Sequence, residues 1–137
     1  VAAKQPGAKL EGVLISEMVS GGVEMILGSA QDPALGDMIM LGLGGIYVEV
    51  FKDVAFGLDP LDADDVRRMI ASLKTKKLLD GVRGGAPSDQ EALVACVLRL
   101  SRLLRDFPEI AELDLNPIEV MPAGQGVKVL DARIIIH

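Results

Sequence analysis

Residues 111–120 read AELDLNPIEV and residues 129–134 read VLDARI, and these two stretches decide the fold. In the first stretch, apolar residues at the odd positions alternate with Glu112, Asp114 and Asn116. Side chains of a strand point alternately to its two faces. The pattern therefore predicts a strand with one apolar face and one face that carries three oxygen-bearing side chains.

A turn at residues 123–126 joins the two stretches into a hairpin. Centring that turn between Ala123 and Gly124 pairs residues whose numbers sum to about 247, which places Asn116 opposite Asp131. Directly opposed residues share a face, with Cβ atoms ~5 Å apart. Mg²⁺ prefers oxygen ligands and completes its shell from water and substrate phosphates. The hairpin thus predicts a metal and nucleotide site, and the alternative interpretation is a solvated polar face.

Composition excludes several functions. The 137 residues suit one domain, and half of them are apolar, so a core is available. A net charge of −6 argues against binding to nucleic acid or to an anionic membrane surface. No apolar run approaches the ~20 residues of a membrane span. Cys96 is the single cysteine, which favours a reducing compartment, and we expect a cytoplasmic protein.

The remaining patterns predict an α+β fold, with a mixed or mainly antiparallel sheet packed against two main helices. The first helix begins at Asp62, and the second has a capping box over Ser88–Glu91 and ends before Pro108. A hairpin through Gly21-Gly22 is expected to join the first two strands. The predicted strands are Gly12–Val19, Val23–Leu27, Met38–Leu43, Ile46–Phe56, Ile110–Met121 and Val127–Ile136.

Several stretches resemble one family. AELDLNPIEV followed by VLDARI resembles the end of ATP-grasp domains, and the likeness is greatest to NDP-forming acyl-CoA synthetases, relatives of succinyl-CoA synthetase. Residues 12–19 with 23–28 (GVLISEMV and VEMILG), 42–56 (GLGGIYVEVFKDVAF) and 79–84 (LDGVRG) look like the same family. These stretches follow the family's order along the chain.

The resemblance implies an ATP-grasp fold, in which ATP lies between two α+β subdomains. Residues 1–137 are then expected to be a single domain that matches the second subdomain and the hinge strand, with the first subdomain preceding residue 1. The implied adenine contacts, largely through the backbone, and the ribose-side acid are Glu17, Met18, Val19 and Glu24. The implied magnesium ligands are Asn116 and Asp131, assisted by Asp114 or Glu112.

The activity implied by the resemblance is interconversion of acyl-CoA, ADP and phosphate with the free acid, CoA and ATP. Mg²⁺ and ATP or ADP would be the cofactors, and a CoA-binding domain or subunit of the same enzyme would be the partner. The relay histidine of the family lies on another domain, so no catalytic residue is assigned and the isolated chain is expected to have weak or no activity. The alternative is a non-catalytic module of a protein that resembles multidomain acetyltransferases. An uncovered apolar face would favour a homo-oligomer.

Five further features remain, and for the first three both a ligand contact and a structural role are considered. The stretch Gly42-Leu43-Gly44-Gly45 is either a backbone phosphate site or a tight turn. Arg83 either contacts a phosphate or partner, or is a solvated loop residue. Arg133 is expected to form a structural ion pair rather than to bind phosphate, Cys96 to lie in the core, and His137 to be a frayed terminus.

Overall fold

The architecture is an antiparallel sheet of six strands with helices on one face. The computed structural model describes residues 7, 9, 11–45, 53–82 and 84–137. The strands are β1 (Val23–Asp32), β2 (Gly36–Leu43), β3 (Val54–Leu58), β4 (Ile110–Val120), β5 (Val127–Val129) and β6 (Ala132–Ile136), and the helices are α1 (Ala63–Ser72), α2 (Lys76–Leu79) and α3 (Gln90–Asp106). The predicted α+β class is confirmed.

The strand order is β3-β2-β1-β4-β5, and β6 also pairs with β4. Each of these pairings is antiparallel. β5 and β6 follow one another along the outer edge of β4, so the predicted strand Val127–Ile136 is interrupted at Leu130 and Asp131. β1 lies in the middle, with β2 on one side and β4 on the other.

The first helix begins as its sequence predicts. Asp62 Oδ1 accepts from the Asp65 N–H at 2.7 Å, and Asp65 Oδ2 accepts from the Asp62 N–H at 3.0 Å. The predicted cap of the second long helix is wrong by one residue, because Asp89, not Ser88, accepts from the Ala92 N–H at 3.1 Å. Ser88 is buried in a β-bridge with Pro122, which takes it out of the capping position.

The core lies between the helices and one face of the sheet, which we call the helix face. Its side chains come from alternate positions of the strands and from the apolar stripes of α1 and α3. The apolar residues of this core with no exposed surface are Leu27, Ile39, Leu41, Val66, Leu93, Val97, Ile118 and Val120. Cys96 is partly buried and packs against this core, and burial raises the pKa of its thiol. The other face of the sheet, called the open face, carries the polar positions.

The predicted strand Gly12–Val19 and its hairpin with β1 are wrong. Residues 11–20 have no regular secondary structure, and Leu14 and Met18 are 92% and 90% exposed. Both edges of β1 are occupied by β2 and β4, so no backbone partner remains there. β-branched composition alone does not form a strand without such a partner.

The other differences are smaller. Of the predicted strand Ile46–Phe56, residues 46–52 lie outside the described residues, as does Arg83. His137 is not frayed, because its N–H donates to the Glu109 carbonyl at 3.0 Å and its Nε2 lies 2.9 Å from Gln31 Oε1. Among the described helices, none combines the length and the apolar character that crossing a bilayer requires.

Candidate nucleotide and metal site

The terminal hairpin has the register that its sequence predicts. β4 pairs Ile118 with Val129 through β5, and it pairs Asp114 with Arg133 through β6. At the break between β5 and β6, the Asn116 N–H donates to the Asp131 carbonyl at 3.2 Å. Asn116 and Asp131 are therefore opposite each other, and the register prediction is confirmed.

A bulge in β4 keeps Asn116 on the open face. β1 pairs Leu27 with Leu115 and Met25 with Ile118, so β4 contains one additional residue between these pairs. A bulge of this kind changes the phase of side-chain alternation. Ile118 can then enter the core with no exposed surface while Asn116 stays exposed.

The oxygen-bearing side chains of β4 line a cleft of about 330 Å³ on the open face. Glu112, Asp114 and Asn116 form one wall, and Met40 and Phe56 from β2 and β3 lie on the opposite side. Across the sheet, Asp114 is paired with Gly28, Gly28 with Met40, and Met40 with Phe56. The cleft thus runs from carboxylates to an apolar surface.

Asn116 lines this cleft, and Asp131 lies opposite it on the hairpin without lining the cleft. The oxygen atoms of these two side chains suit a hard cation that takes its other ligands from water and phosphate. Asn116 and Asp131 are exposed, and Asp131 Oδ1 accepts from the Ala132 N–H at 2.8 Å. No group of three or more His, Cys, Asp or Glu capable of holding a metal occurs within the described ranges. Two protein oxygens, with water and phosphate oxygens completing the shell, is the ligand set that Mg²⁺ accepts. The residues present therefore fit this ion.

Arg133 does not form the structural ion pair that we predicted. It faces Asp114 across the hairpin, yet no carboxylate of the described chain lies within the 4.0 Å ion-pair distance of its guanidinium. Both side chains are in contact with water, where an ion pair gives little stability. A guanidinium therefore stands next to the oxygen donors of the open face.

A second cleft, of about 580 Å³, lies near the start of β1. It is lined by Val19, Glu24, Gly45 and Glu119, among others. Glu24 is two residues from Ile26, which lines the first cleft, so the two clefts open on the same face of β1. A ligand several ångströms long could therefore contact both.

The residues predicted to contact adenine and ribose are divided between this cleft and the solvent. Val19 and Glu24 line the cleft, and the side chain of Met18 points into solvent. Glu17 Oε1 lies 2.8 Å from Lys128 Nζ on β5. The hydrogen bond from Lys128, reinforced by its charge, lowers the pKa of Glu17.

Glu119 is the residue that sequence reasoning missed. It is 4% exposed, and its Oε1 accepts from the Gly22 N–H at 2.7 Å. It lies opposite Glu24 on β1 and opposite Lys128 on β5. Simple alternation along β4 does not place Glu119 on the open face, and only the bulge beside Pro117 does so.

The glycine-rich stretch after β2 is better explained as a turn than as a phosphate site. The Gly44 N–H donates to the Glu24 carbonyl at 2.8 Å, so this amide is already engaged. A Cβ on Gly44 would lie 2.9 Å from the Met25 nitrogen, which only glycine avoids. The lack of a side chain at Gly44 therefore allows β1 and the end of β2 to approach each other closely.

The chain is similar to known proteins in sequence and in fold. Residues 1–136 match the family model described as an ATP-grasp domain. The chain is 57% identical over 127 residues to a 4-hydroxybutyrate–CoA ligase (ADP-forming) of Nitrosopumilus maritimus, a match that covers 93% of this chain and 18% of that protein. It is 46% identical over 133 residues to the beta subunit of an acetate–CoA ligase (ADP-forming) II of Pyrococcus furiosus, covering 96% of this chain and 56% of the subunit.

A solved structure with the same fold is the dinucleotide-forming acetyl-coenzyme A synthetase 1 of Ca. Korarchaeum cryptofilum, in complex with coenzyme A and Mg-AMPPCP. The TM-score is 0.82 at 45% identity, and the alignment covers 87% of this chain and 55% of the synthetase chain. This chain thus spans about a fifth to just over half of the length of these relatives. With the family model matching nearly every residue, the chain belongs to the ATP-grasp domain family.

Proposed function

We propose that this chain supplies one half of the nucleotide site of an ADP-forming acyl-CoA synthetase. The observation that carries the proposal is the cross-strand pair of Asn116 and Asp131, which is joined by a backbone hydrogen bond, with Asn116 lining the first cleft. Relatives that share 57% and 46% identity with the chain are ADP-forming CoA ligases. The reaction would interconvert acyl-CoA, ADP and phosphate with the acid, CoA and ATP.

The two clefts divide the nucleotide between them. The backbone around Val19 would receive the base, and Glu24 would accept hydrogen bonds from the ribose hydroxyls. Asn116 and Asp131 would hold Mg²⁺ through their side-chain oxygens, and Asp114, which lines the same cleft as Asn116, would be a further oxygen ligand. When bound, the ion offsets charge on the phosphates, and phosphoryl transfer depends mainly on such positioning and electrostatics.

The open face also carries a positive charge that would reduce the repulsion between the phosphates and the nearby carboxylates. Arg133 stands opposite Asp114 without an ion-pair partner among the described residues, so its guanidinium is available to a phosphate oxygen. The apolar side of the first cleft, formed by Met40 and Phe56, would exclude water on the side away from the ion. A CoA-binding domain or subunit would deliver the phosphoryl acceptor.

The test is the double variant Asn116→Ala with Asp131→Ala in the full-length protein. Both side chains are exposed, so the fold should survive. We expect loss of Mg²⁺-dependent CoA ligase activity and of Mg²⁺-dependent ADP binding by calorimetry. The matched control, Gln125→Ala with Asp64→Ala, removes an exposed amide and an exposed carboxylate that line neither cleft.

Full ligase activity in the Asn116 and Asp131 double variant would refute the assignment. A wild-type protein that binds MgADP but catalyses no ligase reaction with any acyl-CoA would instead support the non-catalytic module.

A further inference from the structure

Two polar links join the terminal hairpin to the segment that precedes β1, residues 17–22, which we call the hinge segment. One link is the hydrogen bond from the Gly22 N–H to Glu119 Oε1 at 2.7 Å. The other is the ion pair between Lys128 Nζ and Glu17 Oε1 at 2.8 Å. Glu119 and Lys128 are directly opposed on β4 and β5, so both links begin from one rung of the hairpin.

These links determine the path of an otherwise exposed segment. Residues 11–20 have no regular structure, and no backbone hydrogen bond beyond regular elements is found for residues 11–22 in the part of the chain that the structure describes. Segments with few buried contacts open at low free energy. The position of the hinge segment therefore depends on Glu119 and Lys128 more than on packing.

The link at Gly22 is built to close tolerance. A Cβ on Gly22 would lie 2.6 Å from Glu119 Cγ and 2.7 Å from the Val120 carbonyl oxygen, so only glycine allows this approach. Glu119 is also buried directly opposite Glu24, an arrangement of like charges that destabilises a sheet. The buried Glu119 carboxylate accepts a hydrogen bond from the Gly22 N–H, which an apolar side chain could not do.

We propose that Glu119 and Lys128 are positioning residues that fix the hinge segment against the metal-bearing hairpin, and so set where the nucleotide base binds relative to Mg²⁺. The proposal rests on the proposed function. The same hairpin carries Asn116 and Asp131, so the two links hold the base-binding backbone at a set distance from the ion ligands. Directional hydrogen bonds to a base lose strength steeply with angle and distance, so a displaced hinge would weaken base binding.

The two links should affect binding of the nucleotide base and not binding of Mg²⁺. The experiment therefore measures these two quantities separately. Binding of ADP is measured by calorimetry at saturating Mg²⁺, and the Mg²⁺ concentration for half-maximal effect is measured at saturating ADP, both with the full-length protein. Lys128→Ala should weaken ADP binding by about two- to fivefold at low salt and less at high salt, because exposed ion pairs contribute little and are screened. Glu119→Leu should weaken it by about tenfold, the effect of one unmade hydrogen bond.

The Mg²⁺ requirement should stay at the wild-type value in both variants. Glu119→Gln keeps an oxygen acceptor for the Gly22 N–H and should bind ADP as the wild type does. This result would show that Glu119→Leu acts through the lost hydrogen bond and not through a general loss of packing. Arg102→Ala is the matched control, because it removes an exposed ion pair to Asp106 at 2.7 Å that is remote from both clefts. If Glu119→Leu does not fold, Lys128→Ala and Glu119→Gln decide the matter.

Two results would overturn the inference while leaving the proposed function intact. One is an ADP affinity that is unchanged in Lys128→Ala and Glu119→Leu. The other is a Mg²⁺ requirement that changes in these variants by the same factor as the ADP affinity. Wild-type protein that does not bind MgADP, or an Asn116 and Asp131 double variant with a normal Mg²⁺ requirement, would refute the proposed function and the inference with it.

Discussion

The two faces of the sheet come from the same strands and carry opposite chemistry. On the helix face, Leu27, Leu41 and Ile118 have no exposed surface and pack against α1 and α3. On the open face, one step along the same strands, Glu24 stands opposite Glu119 and Asp114 opposite Arg133. Burial on the helix face therefore stabilises the fold. The open face can in consequence carry charged side chains that contribute little to stability.

The difference also separates two kinds of carboxylate. Asp53, at the start of β3, is 6% exposed and accepts hydrogen bonds from Lys74 and Thr75 beside the helices. Glu119 is 4% exposed and accepts one hydrogen bond, from Gly22, beside a cleft. The first carboxylate has its partners within the scaffold, and the second lies where a ligand is expected. Substitutions on the two faces should therefore change different quantities.

The largest expected effect on stability comes from a substitution on the helix face. Leu27→Ala should lower the free energy of unfolding by about 2–5 kcal/mol, because it leaves a cavity in the middle strand. Met40→Ala, on the neighbouring strand but on the open face, is the matched control and should cost less, since Met40 is only partly buried. Urea denaturation followed by circular dichroism measures both. Equal losses would mean that the open face contributes to the core as much as the helix face does.

The next effect concerns Asp53. Asp53→Ala removes the acceptor for the Lys74 N–H at 2.9 Å, the Thr75 N–H at 2.7 Å and the Thr75 hydroxyl. Leaving these partly buried donors unpaired should lower the free energy of unfolding by about 1–3 kcal/mol. Nucleotide affinity should not change, because Asp53 lines neither cleft. A loss of affinity without a loss of stability would contradict the division between the faces.

The pH dependence of this effect has a definite sign. Burial alone would raise the pKa of Asp53, but the hydrogen bonds from Thr75 and Lys74 outweigh it and hold the pKa below its ordinary value. A carboxyl whose pKa is lower in the folded state stabilises the fold above its unfolded pKa, about 3.9, and loses that contribution as pH falls through the folded value. The free energies of unfolding of the wild type and of Asp53→Asn, measured as a function of pH, should therefore differ above pH 4 and converge in stronger acid.

Local patterns predicted the elements whose structure depends on local contacts. The start of the first helix at Asp62 and the register that brings Asn116 opposite Asp131 follow from spacing and turn position, and both are confirmed. The cap at Ser88 was wrong because a β-bridge to Pro122, distant in sequence, competes for that residue. Long-range pairing of this kind leaves no local signal.

The same limit explains the errors near the candidate site. Residues 11–20 have strand-like composition, but which edge they could join is decided by β2 and β4, which occupy both sides of β1. Glu119 was missed because the bulge in β4 changes the phase of alternation, and its exact position depends on the pairing with β1. Sequence spacing therefore predicted the register of the oxygen-bearing side chains, while the position of Glu119 depends on tertiary pairing.

The smallest expected effect on stability compares two glycines with positive φ. Gly45 (φ +72°) and Gly124 (φ +81°) both adopt the left-handed conformation, so alanine at either should cost about 1–2 kcal/mol of unfolding free energy. A Cβ at Gly124 meets nothing, whereas a Cβ at Gly45 would lie 2.7 Å from Glu24 Oε2. Since that oxygen ends a flexible, exposed side chain, Glu24 can move aside at little cost in stability.

The two alanine variants should therefore be equally destabilised in urea and differ in ADP binding. Gly45→Ala displaces the Glu24 carboxylate from its place in the second cleft and should weaken MgADP by about five- to tenfold, the effect of one ribose hydrogen bond. Gly124→Ala, in the hairpin turn, should bind as wild type does. Equal affinities would show that Glu24 makes no contact with the nucleotide.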